Sequence, residues 1–133
     1  MGVILDSSVL IAAERGEMAM PEFLSPLGSE PVAIAAITAS ELLHGCHRAS
    51  DAAVRARRFA FVEALLQAIP VLPFGLIEAR RHAELWAECA RRGAGVGAPD
   101  LLIGATALAQ GYRVATLNVA EFARMPGVRV VGG

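Results

Sequence analysis

The stretch VILDSSVLIA, Val3 to Ala12, decides how the rest of the chain reads. Val3 to Leu5 is an apolar run too short for anything but a strand. Asp6 closes it, and Ser7 and Ser8 lead into a segment of helical period from Ser8 to about Arg15. The same alternation recurs along the chain. Further strand candidates are Val32 to Ala36, Val71 to Pro73, Arg113 to Thr116 and Val128 to Val131. Between them lie helical segments at Ala39 to Arg48, Asp51 to Ala68, Leu76 to Arg92 and Leu101 to Gln110, and a short turn near Ala120 to Arg124. Strands that alternate with longer helices predict an α/β domain, with a central, mostly parallel sheet of four or five strands flanked by helices. Within Leu76 to Arg92, the residues Leu76, Ala79, Ala83, Trp86, Ala87 and Ala90 recur at three- and four-residue intervals, opposite Arg80, Arg81, Glu84 and Arg91. That spacing predicts a helix packed by its alanine-rich face.

The chain has 133 residues, 55% of them apolar, with a mean hydropathy of +0.51, enough apolar surface for one domain spanning residues 1–133 with no disulfide or metal staple. All twelve basic residues are arginine. The absence of lysine excludes Schiff-base chemistry, a Walker lysine and a receiver-domain lysine. Thirteen acids leave a net charge of −1, without the basic excess typical of duplex-binding domains. Cys46 and Cys89 fall in helical segments outside any CxxC pair, which fits reduced packing residues in a cytoplasmic protein. Asp6 interrupts the apolar N-terminus, which has no basic region before it, and no run approaches the roughly 18 uncharged apolar residues of a membrane span.

Two tempting motifs fail on context. The glycine run GAGVGAP, Gly93 to Pro99, has the wrong spacing for a dinucleotide site and follows a helix instead of a strand. His44, Cys46 and His47 lie at helical spacing with Cys46 pointing away from the other two.

The acids after the strands carry the chemistry. Asp6 follows the first strand, Glu41 comes just past the second, and Asn118 and Glu121 come just past the fourth. Each also reads as a helix start: Asp6 as an N-cap, Thr38 with Glu41 as a capping box, Asp100 as a cap and Asn118 with Glu121 as a second box. Topology separates the two readings. In an open parallel sheet the strands end at one edge, so Asp6, Glu41 and the Asn118/Glu121 pair would converge there. Asp100 joins them only if the helix it opens starts at the same edge. Several carboxylates in one crevice take up protons or demand cations. Oxygen-only ligation with open positions suits Mg²⁺ or Mn²⁺. Such an ion activates water and neutralises charge on a phosphodiester, with Glu41 the candidate to accept the proton of the attacking water. Gly45, one turn after Glu41, implies close approach of a substrate or of another backbone. Arg55, Arg57, Arg58, Arg80, Arg81, Arg91 and Arg92 are candidate guides for substrate phosphates, and Leu10, Ile11, Leu42 and Leu43 are candidates for a partner groove.

Four segments, ILDSSVLIA from Ile4, TASELLHG from Thr38, PDLLIGATALA from Pro99 and ATLNVAEF from Ala115, resemble in order and spacing the PIN-domain family, and in particular its VapC-type toxins. The resemblance implies a PIN-like α/β/α sandwich and a Mg²⁺- or Mn²⁺-dependent ribonuclease acting on RNA. It also implies a VapB-like antitoxin, a homodimer and a toxin–antitoxin hetero-oligomer. By position, Asp6, Glu41 and Asp100 match the family's three central acids, and Ser7 and Thr116 match polar positions that contact them. The resemblance thus implies Asp6, Asp100 and Glu41 as ligands of the metal, directly or through water. The sequence departs from the family at the fourth position. Asn118 stands where many relatives have aspartate, and Glu121-Phe122 replaces a common Asp-Phe pair. The fourth function therefore falls either to the Glu121 carboxylate or to the Asn118 amide. Leu117 replaces a frequent arginine. The competing reading is a catalytically silent PIN-like module that binds RNA or a protein partner, its acids serving only as caps.

Overall fold

In the computed structural model, which describes residues 2–132, β1 (Val3–Leu5) lies at the centre of the sheet. On one side it pairs with β2 (Val32–Ala35), which pairs in turn with β3 (Val71–Leu72). On the other side it pairs with β4 (Arg113–Thr116), and then comes β5 (Val130–Gly132). The order is β3-β2-β1-β4-β5 and every pairing is parallel. The chain leaves β1 toward β2 and later returns to its opposite side at β4. That reversal opens a crevice beyond the strand ends, at the topological switch point.

Strand alternation builds two cores. Val3 and Leu5 point to one face and join Leu10, Ile34, Leu42, Cys46 and Val62, beneath α1 (Ser7–Glu14), α3 (Ala36–Arg48) and α4 (Ala52–Ala68). Ile4 points to the other and joins Leu85, Cys89, Ile103, Val114, Phe122 and Met125, beneath α5 (Leu76–Arg91), α6 (Ala98–Gln110) and α7 (Val119–Ala123). This is an α/β/α sandwich. Full burial of each large aliphatic side chain contributes about 1.5–3 kcal/mol. At Gly104 an added Cβ would stand 2.6 Å from Met125 Sδ, so α6 rests on its neighbours through a bare backbone. Both cysteines are buried and free, and among the described residues no helix is long and apolar enough to cross a membrane.

Several expectations are corrected. A short helix, α2 (Met20–Leu24), and the 3-10 turn Ser25–Leu27 occupy a segment for which the sequence reading predicts no element; Pro21 and Pro26 sit in their first turns, where a missing N–H costs nothing. α3 begins at Ala36, so Thr38 lies inside the helix and forms no capping box. The fourth helical segment packs by the other face. Glu78, Leu85 and Cys89 are buried, while Leu76 is 66% exposed and Trp86 60% exposed. Buried Glu78 explains the misreading: its carboxylate accepts from the Gly75 N–H at 2.8 Å and the Gln110 side-chain amide at 2.6 Å, so a polar residue occupies a core position.

Candidate active site

Asp6 occupies the N-cap position of α1, yet its side chain caps nothing. Its carboxylate is 3% exposed and is held by three hydroxyls. Thr116 donates to Oδ2 at 2.6 Å, Ser8 donates to the same oxygen at 2.7 Å, and Ser7 approaches Oδ1 at 3.4 Å. Parallel pairing of Leu5 with Ala115, extended by the Asp6 N–H to the Ala115 carbonyl at 2.9 Å, puts Asp6 beside Thr116. The two main donors are themselves oriented: Leu117 N–H donates to Ser8 Oγ at 3.1 Å and Asn118 N–H to Thr116 Oγ1 at 2.8 Å. With those lone pairs occupied, both hydroxyl protons are directed at Oδ2, leaving Oδ1 the freer oxygen. Ser8 is a member of this cluster that sequence reasoning missed; its position two residues after Asp6, on the first turn, was the available signal.

Glu41 projects from the second turn of α3, and its Oε1 is buried without a hydrogen-bond partner. Burial and the charge of Asp6 push its carboxyl upward, with Ser7 acting in the opposite direction. Thr38 Oγ1, one turn earlier on the same helix, is a second buried oxygen without a partner. Asp100 lies in the first turn of α6, whose N-cap is Gly97, so it is not a capping residue. α6 runs antiparallel to β4 and begins at the crevice, which meets the condition that Asp100 needed. Burial, then the charges of Asp6, Glu121 and Glu41, push its carboxyl up to about 6. Four carboxylates therefore act on one another at this edge, although among the described residues no three acid, histidine or cysteine side chains converge closely enough to chelate a bare ion.

The fourth position divides between two residues. Asn118 precedes α7 with its side chain exposed and capping nothing. Glu121 reaches back to the Gly97 N–H, with Oε1 accepting at 3.0 Å. Beside the acids runs an open cleft of about 480 Å³, bordered by Ser7, Glu41, Gly45, Arg15, Arg48 and Arg58. Gly45 faces open space, with nothing within 4 Å of a built Cβ, so helix packing does not account for it. Of the seven arginines expected to guide phosphates, only Arg58 borders this cleft, donating to the Gly45 carbonyl at 3.2 Å. Arg55 is tied to the Ala49 carbonyl, Arg81 to Glu84, and Arg91 and Arg92 to Glu88. Arg15 and Arg48, which are not among the seven, also border it. Leu10 and Leu42 are core residues; Ile11, 39% exposed, lines the cleft.

The family described as PIN domain matches residues 3–128. The chain is 35% identical to ribonuclease VapC1 of Rickettsia felis over 131 residues, which is 98% of this chain and 96% of that protein. It is 34% identical over 104 residues to the tRNA(fMet)-specific endonuclease VapC of Salmonella typhimurium, covering 78% of this chain and 76% of that one. Its fold superposes with a TM-score of 0.88 on a chain of the DNA-bound VapBC crystal structure from Salmonella typhimurium, at 28% identity and 99% and 98% coverage. Divalent-metal dependence is general among such nucleases. With an all-parallel sheet, four acids at its switch point and these relatives along nearly its whole length, the chain belongs to the PIN-domain family, among its VapC ribonucleases.

Proposed function

We propose that this protein is a VapC-type toxin that hydrolyses RNA phosphodiesters at the crevice beside β1 and β4. Asp6, Asp100 and Glu41 would hold a Mg²⁺ or Mn²⁺ ion, partly through water. The observation that carries this reading is the placement of Asp6, Glu41, Asp100 and Glu121 at one edge of the parallel sheet, a set of oxygen donors with no cationic side chain among them, in which burial and the three other acids push the Asp100 carboxyl upward. The orphan Glu41 Oε1 adds a buried acceptor in need of a partner. When bound, the ion supplies charge for the phosphodiester transition state and lowers the pKa of water. Asp6 presents Oδ1 while Ser8 and Thr116 fix Oδ2. Glu41, with its upward-shifted carboxyl, is suited to take the proton of the attacking water. RNA would follow the cleft along Arg15, Arg48 and Arg58, with Gly45 leaving room for its backbone.

The names and titles of the relatives support a VapB-type antitoxin as neutralising partner and a complex of the two proteins. The proposal includes a homodimer in the cytoplasm. Its test is cleavage of total RNA with Mg²⁺ or Mn²⁺ by the wild type and by Asp6→Asn. Asparagine keeps the side chain's shape and an acceptor oxygen for Ser8 and Thr116 while removing the charge that a cation needs. The expected result is a folded variant without divalent-dependent cleavage; cleavage by the variant at the wild-type rate would overturn the role of Asp6, and a wild type without divalent-dependent cleavage would leave the silent-module reading standing.

A further inference from the structure

The glycine loop from Gly93 to Gly97 is fastened at two points by one short helix. Glu121 Oε1 accepts from the Gly97 N–H at 3.0 Å, and Arg124 Nη1 donates to the Gly95 carbonyl at 2.9 Å. The two side chains are three residues apart and so leave the same side of α7 and its C-cap. The loop offers few other attachments. Nothing lies within 4 Å of a Cβ built on Gly93 or Gly95, and a Cβ on Gly97 would meet only Pro99 Cδ, at 4.0 Å. Ala94 and Val96 lean on the core, but Gly95 between them and Gly93 and Gly97 on either side contribute no side chain to hold the backbone.

What the loop leads into gives the fastening a function. Gly97 is the N-cap residue of α6, has no side chain to cap with, and is followed within the first turn by Asp100. Fixing the Gly97 amide fixes the turn that presents Asp100 to the crevice. A carboxylate acting only as a cation ligand would have no reason to be spent on a backbone amide 24 residues away.

We infer that Glu121, aided by Arg124, is a positioning residue: it holds the N-terminal turn of α6 so that Asp100 faces the other acids, and it is not itself a fourth ligand. This rests on the proposed cation site.

Two substitutions separate the roles. Glu121→Gln keeps an acceptor oxygen and removes the charge; Glu121→Ala removes both. Amide exchange at Gly97 is followed by NMR in the metal-free protein, and Mn²⁺ binding by calorimetric titration. One lost hydrogen bond, worth about 0.5–1.5 kcal/mol, corresponds to a change of up to about tenfold. Glu121→Ala should therefore speed Gly97 exchange and weaken Mn²⁺ binding by up to about that factor, with Glu121→Gln within about threefold of wild type in both. Equal weakening of Mn²⁺ binding by the two variants would make Glu121 a ligand and overturn the inference. So would a Glu121→Ala protein with wild-type Gly97 exchange or wild-type Mn²⁺ affinity. Asp6→Asn in the same titration tests the site itself: if it binds Mn²⁺ as tightly as wild type, the cation site fails, while Gly97 exchange still reports on the fastening.

Discussion

Replacing Asp100 by asparagine should make the metal-free protein more stable and inactive at once. In the folded chain the Asp100 carboxyl titrates at about 6, against 3.8 for an unperturbed aspartate. Below about pH 4 the group is protonated in both folded and unfolded states and imposes no penalty. As pH rises through 6 the folded state must ionise a carboxylate that burial and three acids disfavour, so the stability of the protonated form is lost. The rise from 3.8 to about 6 corresponds to ~3 kcal/mol. Partial solvent access and screening reduce that to ~1–2 kcal/mol. Asparagine has the same shape and no charge to lose. In EDTA at about pH 8, Asp100→Asn should gain ~1–2 kcal/mol, a Tm higher by about 4–8 °C for a chain of this size. At about pH 4 the gain should fall to about a fifth of that, and it should vanish well below 3.8. Thermal unfolding by circular dichroism at the two pH values, paired with RNA cleavage, checks this. Added Mn²⁺ should raise the Tm of the wild type and leave the variant unmoved. A variant that is no more stable than wild type at the higher pH, or equally stabilised at both, refutes the electrostatic account.

Thr116→Val removes a donor to Asp6 Oδ2 and the acceptor for the Asn118 N–H while keeping the side chain's shape. It should cost about 1–3 kcal/mol in urea unfolding and weaken Mn²⁺ binding, with Ser8→Ala acting in the same direction. Gly45→Ala meets open space inside a helix, so it should stabilise the fold by up to about 1 kcal/mol while slowing RNA cleavage by narrowing the cleft. Faster cleavage, or none of the stability gain, would count against that reading. Trp86→Ser should shift the urea midpoint by less than about 0.5 kcal/mol, because the ring is 60% exposed; a core tryptophan would cost about 3–5 kcal/mol.

How far such features could be read from sequence depended on how local their causes are. β1 and Asp6 were legible because three apolar residues followed by an acid and two serines leave one sensible geometry. The convergence of Asp6, Glu41 and Asp100 was legible as a condition on topology, and the parallel order β2-β1-β4 meets it. The capping readings of Thr38 and Asp100 failed because both helices start a turn early, at Ala36 and Ala98, where alanine gives no start signal. The packing face of α5 was misread for a different reason. A burial pattern assumes polar residues face water, but Glu78 is buried by hydrogen bonds to Gly75 and to Gln110, a residue 32 positions away. Nothing in a linear window carries that information, nor the link from Glu121 to Gly97. Ser8 lay in plain view beside Asp6, but its role depends on Leu117, at the far end of the chain.

The contact between Asp6 and Thr116 spans 110 residues and joins the first strand to the fourth. During synthesis the central strand emerges more than 100 residues before its β4 neighbour. A nascent or prematurely terminated chain that ends before β4 lacks half of the hydroxyl clamp on Asp6, and one that ends before α6 lacks Asp100 as well. Long-range parallel pairing is intrinsically slow to form. A site built this way is complete only when β1, α6 and β4 are all in place, so no contiguous fragment shorter than the span from Asp6 to Thr116 can carry it.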